Sequence, residues 1–221
     1  MSTARSPFLS SLGKKYLMAL TGLFLVTFLI VHLAGNLLLY KSAESFNIYS
    51  EFMATNALIR VLEIGLVLGF GAHIIDGILL TLANKKARPE AYVKYEIKQT
   101  AVSFSRYMAV SGTIILAFLV VHLRSFTIEH RFINPGKETA YDLVTNAFAF
   151  GWGGWYWLFY VVAIMLLGFH LNHGFQSAFQ SLGFNHKRYS PLLKKVGVGI
   201  STLLVAGFIS LPIYFRFIHN V

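Results

Sequence analysis

Four of the eight histidines lie deep inside long apolar stretches, one in each of the first four such stretches. They are His32, His73, His122 and His170. A polar side chain within a membrane is costly and usually serves a function. A single buried histidine could do no more than hydrogen-bond a neighbouring helix. Four histidines, one per stretch, instead indicate a common chemistry, and imidazole is a ligand that iron accepts.

The positions of these histidines along their stretches group them into two layers. If successive stretches cross the membrane in alternate directions, His32 and His122 lie about 24 Å from the edge at which the first stretch begins. By the same rise per residue, His73 and His170 lie about 15–18 Å from that edge. We name His32 and His122 the outer pair, and His73 and His170 the inner pair. Each pair comes from non-consecutive, parallel helices, which can lie diagonally across a four-helix bundle.

Two histidines that face each other across a bundle suit the axial ligation of a haem. The pattern therefore predicts two b-type haems, with the outer pair and the inner pair as their iron ligands. Because the protein would occupy both axial positions, the iron has no open site for oxygen, which favours electron transfer. Electrons buried in a membrane imply a lipid-soluble partner, normally a quinone. The alternative is a haem-free transporter in which the histidines and Asp76 relay protons.

The elements that must position these histidines are membrane-spanning helices. The chain has 221 residues, of which 56% are hydrophobic and 13% are charged, whereas soluble domains carry about 25% charged residues. Five apolar stretches, at about 16–39, 58–83, 107–123, 155–182 and 196–215, are each long enough to cross a membrane. The sequence predicts an all-α integral membrane protein, a single membrane domain over residues 1–221. Its first four helices form the haem-binding bundle.

Several smaller features refine this prediction. The aromatic and glycine-rich residues 148–157 resemble an outer loop at the membrane interface, and we expect no internal repeat. The first apolar stretch is interpreted as a span and not as a signal peptide. The chain has no cysteine, so any iron–sulfur cluster must belong to a partner.

The net charge of +10 is interpreted as a signal of topology. Thirteen of the nineteen Lys and Arg residues fall on one predicted side of the membrane. The positive-inside rule then places the N-terminus in the cytoplasm and the C-terminus outside. These charges flank apolar spans and form no separate basic domain, so nucleic acid is not an expected partner.

Other polar residues in or beside the spans are secondary candidates. His173, Lys14, Lys15 and Arg106 could contact haem propionates or support the ligands, although the basic residues also fit simple anchoring. A zinc site on His170 and His173 would lack further ligands nearby.

Two acidic residues are candidates for quinone or proton chemistry. They are Asp76, one turn from His73, and Glu63. Glu63 could equally form a local ion pair with Arg60. Gly35, Gly69, Gly77 and Gly174 could make room for flat cofactors or serve ordinary helix packing.

Several segments resemble the cytochrome b subunit of succinate dehydrogenase, in its five-helix, two-haem, b558-type branch, which some bacterial fumarate reductases share. The segments are VHLAGN at residues 31–36, His73, Val121-His122, FHLNHGFQSAFQSLG at residues 169–183 and SSLGKK at residues 10–15. The resemblance spans essentially the whole chain, and its most specific part is the segment at 169–183.

The resemblance implies a membrane anchor of respiratory complex II in the bacterial inner membrane. A partner flavoprotein would oxidise succinate, and a partner iron–sulfur protein would pass electrons to two haems b and then to a quinone, usually menaquinone. It assigns the same ligand pairs as the depths do. It leaves the quinone site and any higher oligomer of the complex open. A di-haem cytochrome b of a hydrogenase or formate dehydrogenase would share this ligand pattern and differ in its soluble partners.

Overall fold

The computed structural model of the protein describes residues 10–87 and 107–219. In these ranges the chain forms seven α-helices and no β-strand, which confirms the all-α prediction. The helices are α1 (Ser11–Asn36), α2 (Ala43–Thr55), α3 (Ala57–Lys86), α4 (Met108–His122), α5 (Ala140–Gly154), α6 (Tyr156–Ser181) and α7 (Ser190–Phe217). A 3₁₀ turn, Leu37–Tyr40, extends α1, and a π-helix, Leu123–Ile133, extends α4.

Within the described ranges, five helical segments are long and apolar enough to cross a membrane, as the sequence predicted. They are Leu12–Tyr40, Ala57–Lys86, Met108–Ile133, Tyr156–Ser181 and Ser190–Phe217. The third differs most from its predicted bounds, because polar residues after position 123 ended the apolar stretch in the sequence but do not end the helix. Arg124 and Glu129 form an ion pair of 2.5 Å within the π-helical extension, so these charges neutralise each other.

Side-chain caps set the beginnings of several helices. Ser10 Oγ accepts a hydrogen bond from the Gly13 amide at the start of α1. Asn56 separates α2 from α3, and its Oδ1 accepts from the amides of Leu58 and Ile59. Such caps satisfy amides that have no partner within the helix. They therefore fix where each span begins.

The predicted loop at residues 148–157 is shorter than expected. Its first and last residues belong to the end of α5 and the start of α6, and the backbone leaves the helical conformation at a kink over Gly151–Gly153. Trp152 has φ 53° and Gly153 has φ 64°, the left-handed backbone that allows such a kink. Arg216 of α7 donates a hydrogen bond of 2.6 Å to the Ala149 carbonyl and so holds the kink against the bundle.

The helix packing forms a four-sided bundle in the order α1, α3, α4, α6, with α6 returning to α1. The helices α1 and α4 therefore stand on one diagonal, and α3 and α6 stand on the other. Helix α7 packs outside this square against α6 and α1. We call the end at which α1 begins the inner end, and the end at which it finishes the outer end. Which end faces the cytoplasm stays a prediction.

Candidate functional site

The structure brings the four histidines together as two pairs across the diagonals of the bundle. The ring centres of His32 on α1 and His122 on α4 are 5.9 Å apart, with their planes at 89°. The ring centres of His73 on α3 and His170 on α6 are 6.4 Å apart, at 73°. These are the outer and inner pairs that the sequence depths group together.

The separation within each pair fits a single metal ion between the rings. An ion that takes one nitrogen from each ring at about 2 Å separates the ring centres by roughly 6 Å. Among the described residues, no three His, Asp or Glu side chains converge to hold a metal ion. A haem iron needs only two protein ligands, because the porphyrin supplies the others. The residues present therefore fit two haems.

Hydroxyl groups from neighbouring helices contact the Nδ1 atoms of the inner pair. Thr21 Oγ1 of α1 lies 3.2 Å from Nδ1 of His73. Ser111 Oγ of α4 lies 3.1 Å from Nδ1 of His170. A bonded Nδ1 leaves Nε2 as the nitrogen available to a metal, and such outer contacts orient ligand rings.

Aromatic rings surround the outer pair. Phe28 stacks on His32 at 5.2 Å between ring centres, and Phe118 lies 5.7 Å from His122. Each phenylalanine stands one helical turn before its histidine. The Tyr160 hydroxyl lies 3.0 Å from Nδ1 of His122 and accepts a hydrogen bond from the Tyr156 hydroxyl. Both tyrosines belong to a buried cluster at the outer end: Leu39, Phe46, Phe148, Tyr156, Tyr160, Ile164, Leu211 and Phe215.

Asp76 is the secondary candidate of the inner end that stands one helical turn from His73 on α3. Asp76 is only 3% exposed, and its Oδ2 atom has no hydrogen-bond partner within residues 10–87 and 107–219. The Lys14 ammonium exerts an electrostatic attraction on this carboxyl, although the two form no direct ion pair in the described part of the chain. Lys15 is exposed. Arg106 lies outside the described residues.

Glu63 belongs to an ion network at the outer end. Its two carboxylate oxygens lie 2.5 Å from the Arg60 guanidinium and 2.7 Å from that of Arg131. Arg131 is in the π-helix after α4, so Glu63 joins α3 to that extension. The local Arg60 pair considered from the sequence is present, and a second cation is added to it. A quinone role for Glu63 stays a prediction.

The remaining sequence candidates are His173 and the glycines near the four histidines. His173 is partly buried, one turn beyond His170 on α6. Two of the glycines near the histidines face aromatic rings: a Cβ atom on Gly35 would lie 2.6 Å from Tyr49, and one on Gly69 would lie 2.7 Å from Phe24. At these two positions the structure favours helix packing. Burial raises the pKa of the Tyr49 phenol, because an apolar environment disfavours the phenolate.

The sequence interpretation missed Thr21, Ser111 and the tyrosines. The expectation of no internal repeat was also wrong. The segment MALTGLFLVTFLIVHL at residues 18–33 matches MAVSGTIILAFLVVHL at residues 108–123 at eight of sixteen positions. The repeat aligns Thr21 with Ser111, Phe28 with Phe118 and the two outer histidines with each other. The offset of ninety residues between the two segments is the sequence signal that would have identified both hydroxyl groups.

The fold and the histidine pairs define a class: an all-α protein whose described part has five helices able to span a membrane, four of them arranged as a bundle around two histidine pairs at different levels. No protein-family model, curated protein or solved structure matches the chain.

Proposed function

We propose that this chain is a di-haem cytochrome b that anchors a succinate:quinone oxidoreductase in a membrane. The single observation on which the haem part rests is the approach of the four histidines as two pairs, 5.9 and 6.4 Å between ring centres. The succinate part rests on the resemblance of residues 169–183 and the other segments to the succinate dehydrogenase anchor. The succinate site itself would lie on a partner chain.

When bound, each haem supplies a one-electron carrier that needs no proton or oxygen ligand. The outer and inner histidines would hold such carriers at two levels of the bundle. Thr21, which contacts His73, and His32 are eleven residues apart on α1, which separates the levels by about 16 Å along the helix axis, more than the roughly 6–9 Å that the sequence depths predicted. Two carriers at these levels would let electrons cross a large part of the membrane through this chain.

The surrounding residues orient the ligands and exclude water. The hydroxyls of Thr21 and Ser111 contact the inner rings. Phe28 and Phe118 pack against the outer rings. At the inner end, Lys14 provides positive charge beside the bundle. A basic end suits docking of an iron–sulfur partner, and the lipid-facing surface gives access to a quinone such as menaquinone.

The experiment that tests this proposal is a reduced-minus-oxidised spectrum of the purified complex, with haem measured per chain. Two low-spin b haems per chain, reduced by succinate when the soluble partners are present, are expected. Reduction by hydrogen or formate through other co-purifying subunits would support a different quinone-linked dehydrogenase. A colourless protein would contradict the cytochrome proposal and favour the transporter.

A further inference from the structure

The hydrogen-bond geometry at the inner pair favours one nitrogen of each histidine as the site of the proton. Thr21 Oγ1 lies 2.7 Å from the Leu17 carbonyl oxygen as well as 3.2 Å from Nδ1 of His73. A carbonyl oxygen can only accept, so the single hydroxyl proton of Thr21 goes to Leu17. The contact with His73 then requires a proton on Nδ1, which the imidazole donates to Oγ1.

The same arrangement occurs a second time at His170. Ser111 Oγ donates to the Met108 carbonyl at 3.1 Å and lies 3.1 Å from Nδ1 of His170. The next residue on each helix is also equivalent, because Cβ atoms on Gly22 and Gly112 would lie 3.5 and 3.6 Å from Cε1 of the respective histidines. Two occurrences on the two copies of the repeat make a chance contact a poor explanation.

We propose that Thr21 and Ser111 are a matched pair of positioning residues that hold His73 and His170 as Nδ1-protonated tautomers, with both Nε2 lone pairs free for iron. This inference rests on the proposed haem-binding function. It adds a specific property to the inner pair: hydrogen bonds from both Nδ1–H groups make both ligands stronger donors. Stronger donation stabilises oxidised iron, so the two hydroxyls lower the midpoint potential at the inner pair.

The outer pair lacks this arrangement. In the described part of the chain, the ring of His32 packs against Phe28 and Phe208 and has no hydroxyl partner. At His122 the partner is a phenol that itself accepts from Tyr156. Only the inner pair therefore has its Nδ1-protonated tautomers held by hydroxyl groups. This makes the two levels chemically different although all four proposed ligands are histidines.

The test removes each hydroxyl while keeping the side-chain size. In Thr21→Val and in Ser111→Ala, a redox titration should show a higher midpoint potential for the inner component and no change for the outer one. The double variant should shift further than either single variant. Thr21→Ser and Ser111→Thr retain the hydroxyl and should restore the wild-type potential.

Matched controls exist on the same two helices. Thr27 and Thr113 are exposed, and their hydroxyls also donate to the carbonyl four residues before them, but neither contacts a histidine among the described residues. Thr27→Val and Thr113→Val should leave both potentials unchanged. An unchanged inner potential in Thr21→Val and Ser111→Ala, or an equal shift in the controls, would overturn the inference.

Two further outcomes are informative. If Thr21→Val loses the inner haem, retention in Thr21→Ser supports a need for the hydroxyl, whereas loss in both variants contradicts it. If the wild-type chain holds no haem, the proposed function fails by itself. The tautomers are then measured by ¹⁵N spectra of histidine-labelled protein. His73 and His170 should be Nδ1-protonated in wild type, and each should be a mixture of the two tautomers in the hydroxyl-free variants. Mixed tautomers in wild type would refute the inference.

Discussion

The inner and outer histidine pairs consist of the same residue type in contrasting surroundings. The inner rings are held by hydrogen bonds to Thr21 and Ser111. The outer rings are held mainly by stacking and edge contacts with phenylalanines, and by one tyrosine hydroxyl at His122. A hydrogen bond fixes the direction and tautomer of a ring, whereas aromatic packing fixes its position and excludes water. The difference shows how one bundle can give two histidine pairs unequal properties.

The largest expected effect comes from removing a proposed haem ligand. His32→Ala or His122→Ala should abolish one spectral component, and His73→Ala or His170→Ala should abolish the other, with haem per chain falling by half in every case. Low-temperature reduced-minus-oxidised spectra distinguish the components. His186→Ala, in the turn between α6 and α7, should retain both. If His32→Ala and His73→Ala removed the same component, the two-pair arrangement would be incorrect.

A smaller effect should follow from removing one of the aromatic side chains around the outer pair. Phe126 lies 5.2 Å from the His122 ring and contacts Phe148, Tyr156 and Tyr160. Phe126→Ala should lower the free energy of unfolding by about 2 kcal/mol, because removal of a partly buried ring leaves a cavity that the neighbouring side chains fill only in part.

Thermal unfolding and the width of the outer spectral band measure the result of Phe126→Ala. Phe175→Ala is the matched variant, since Phe175 is buried near the inner end against Phe179. It should lower stability without broadening the outer band. Equal broadening in both variants would show that the packing of Phe126 does not specifically affect the outer pair.

The ion network at the outer end offers a third comparison. Glu63→Gln should lower the free energy of unfolding by about 1 kcal/mol, because Arg60 and Arg131 lose a shared, partly exposed carboxylate partner. Glu51→Gln, on the exposed side of α2, should be neutral in the same unfolding assay. Haem reduction and quinone reduction should both persist in Glu63→Gln if the network is structural. Loss of quinone reduction alone would instead assign Glu63 to quinone chemistry.

The smallest expected effect on the haems is at the tyrosine beside His122. Tyr160→Phe removes the contacts of this hydroxyl with His122 and Tyr156, each worth about 1 kcal/mol, and leaves the ring packing in place. Both haems should be retained, and the low-spin EPR signal of the outer component should shift while that of the inner component stays fixed. Tyr156→Phe, one hydrogen bond further from the histidine, should shift it less. A shift of the inner signal would contradict the separation of the two levels.

Much of the candidate site followed from the sequence because membrane helices are regular. A fixed rise per residue converts the positions of His32, His73, His122 and His170 into depths, and the depths group the histidines that the structure brings together. The helical end of α5 could not be predicted in this way. Its aromatic and glycine-rich composition is typical of an interface, and only the contact from Arg216 to Ala149 and the backbone at Trp152 define its path.

The sequence by itself determined the five apolar spans and the grouping of the four histidines into two levels, since both depend only on hydropathy and helix geometry along one chain. The tertiary structure decided which helices are diagonal neighbours, how Glu63 is shared by two arginines, and which nitrogen of each inner histidine is held by Thr21 or Ser111. Such contacts depend on the rotation of each helix about its own axis. Packing against neighbouring helices sets that rotation, and a nearly all-apolar span does not encode it.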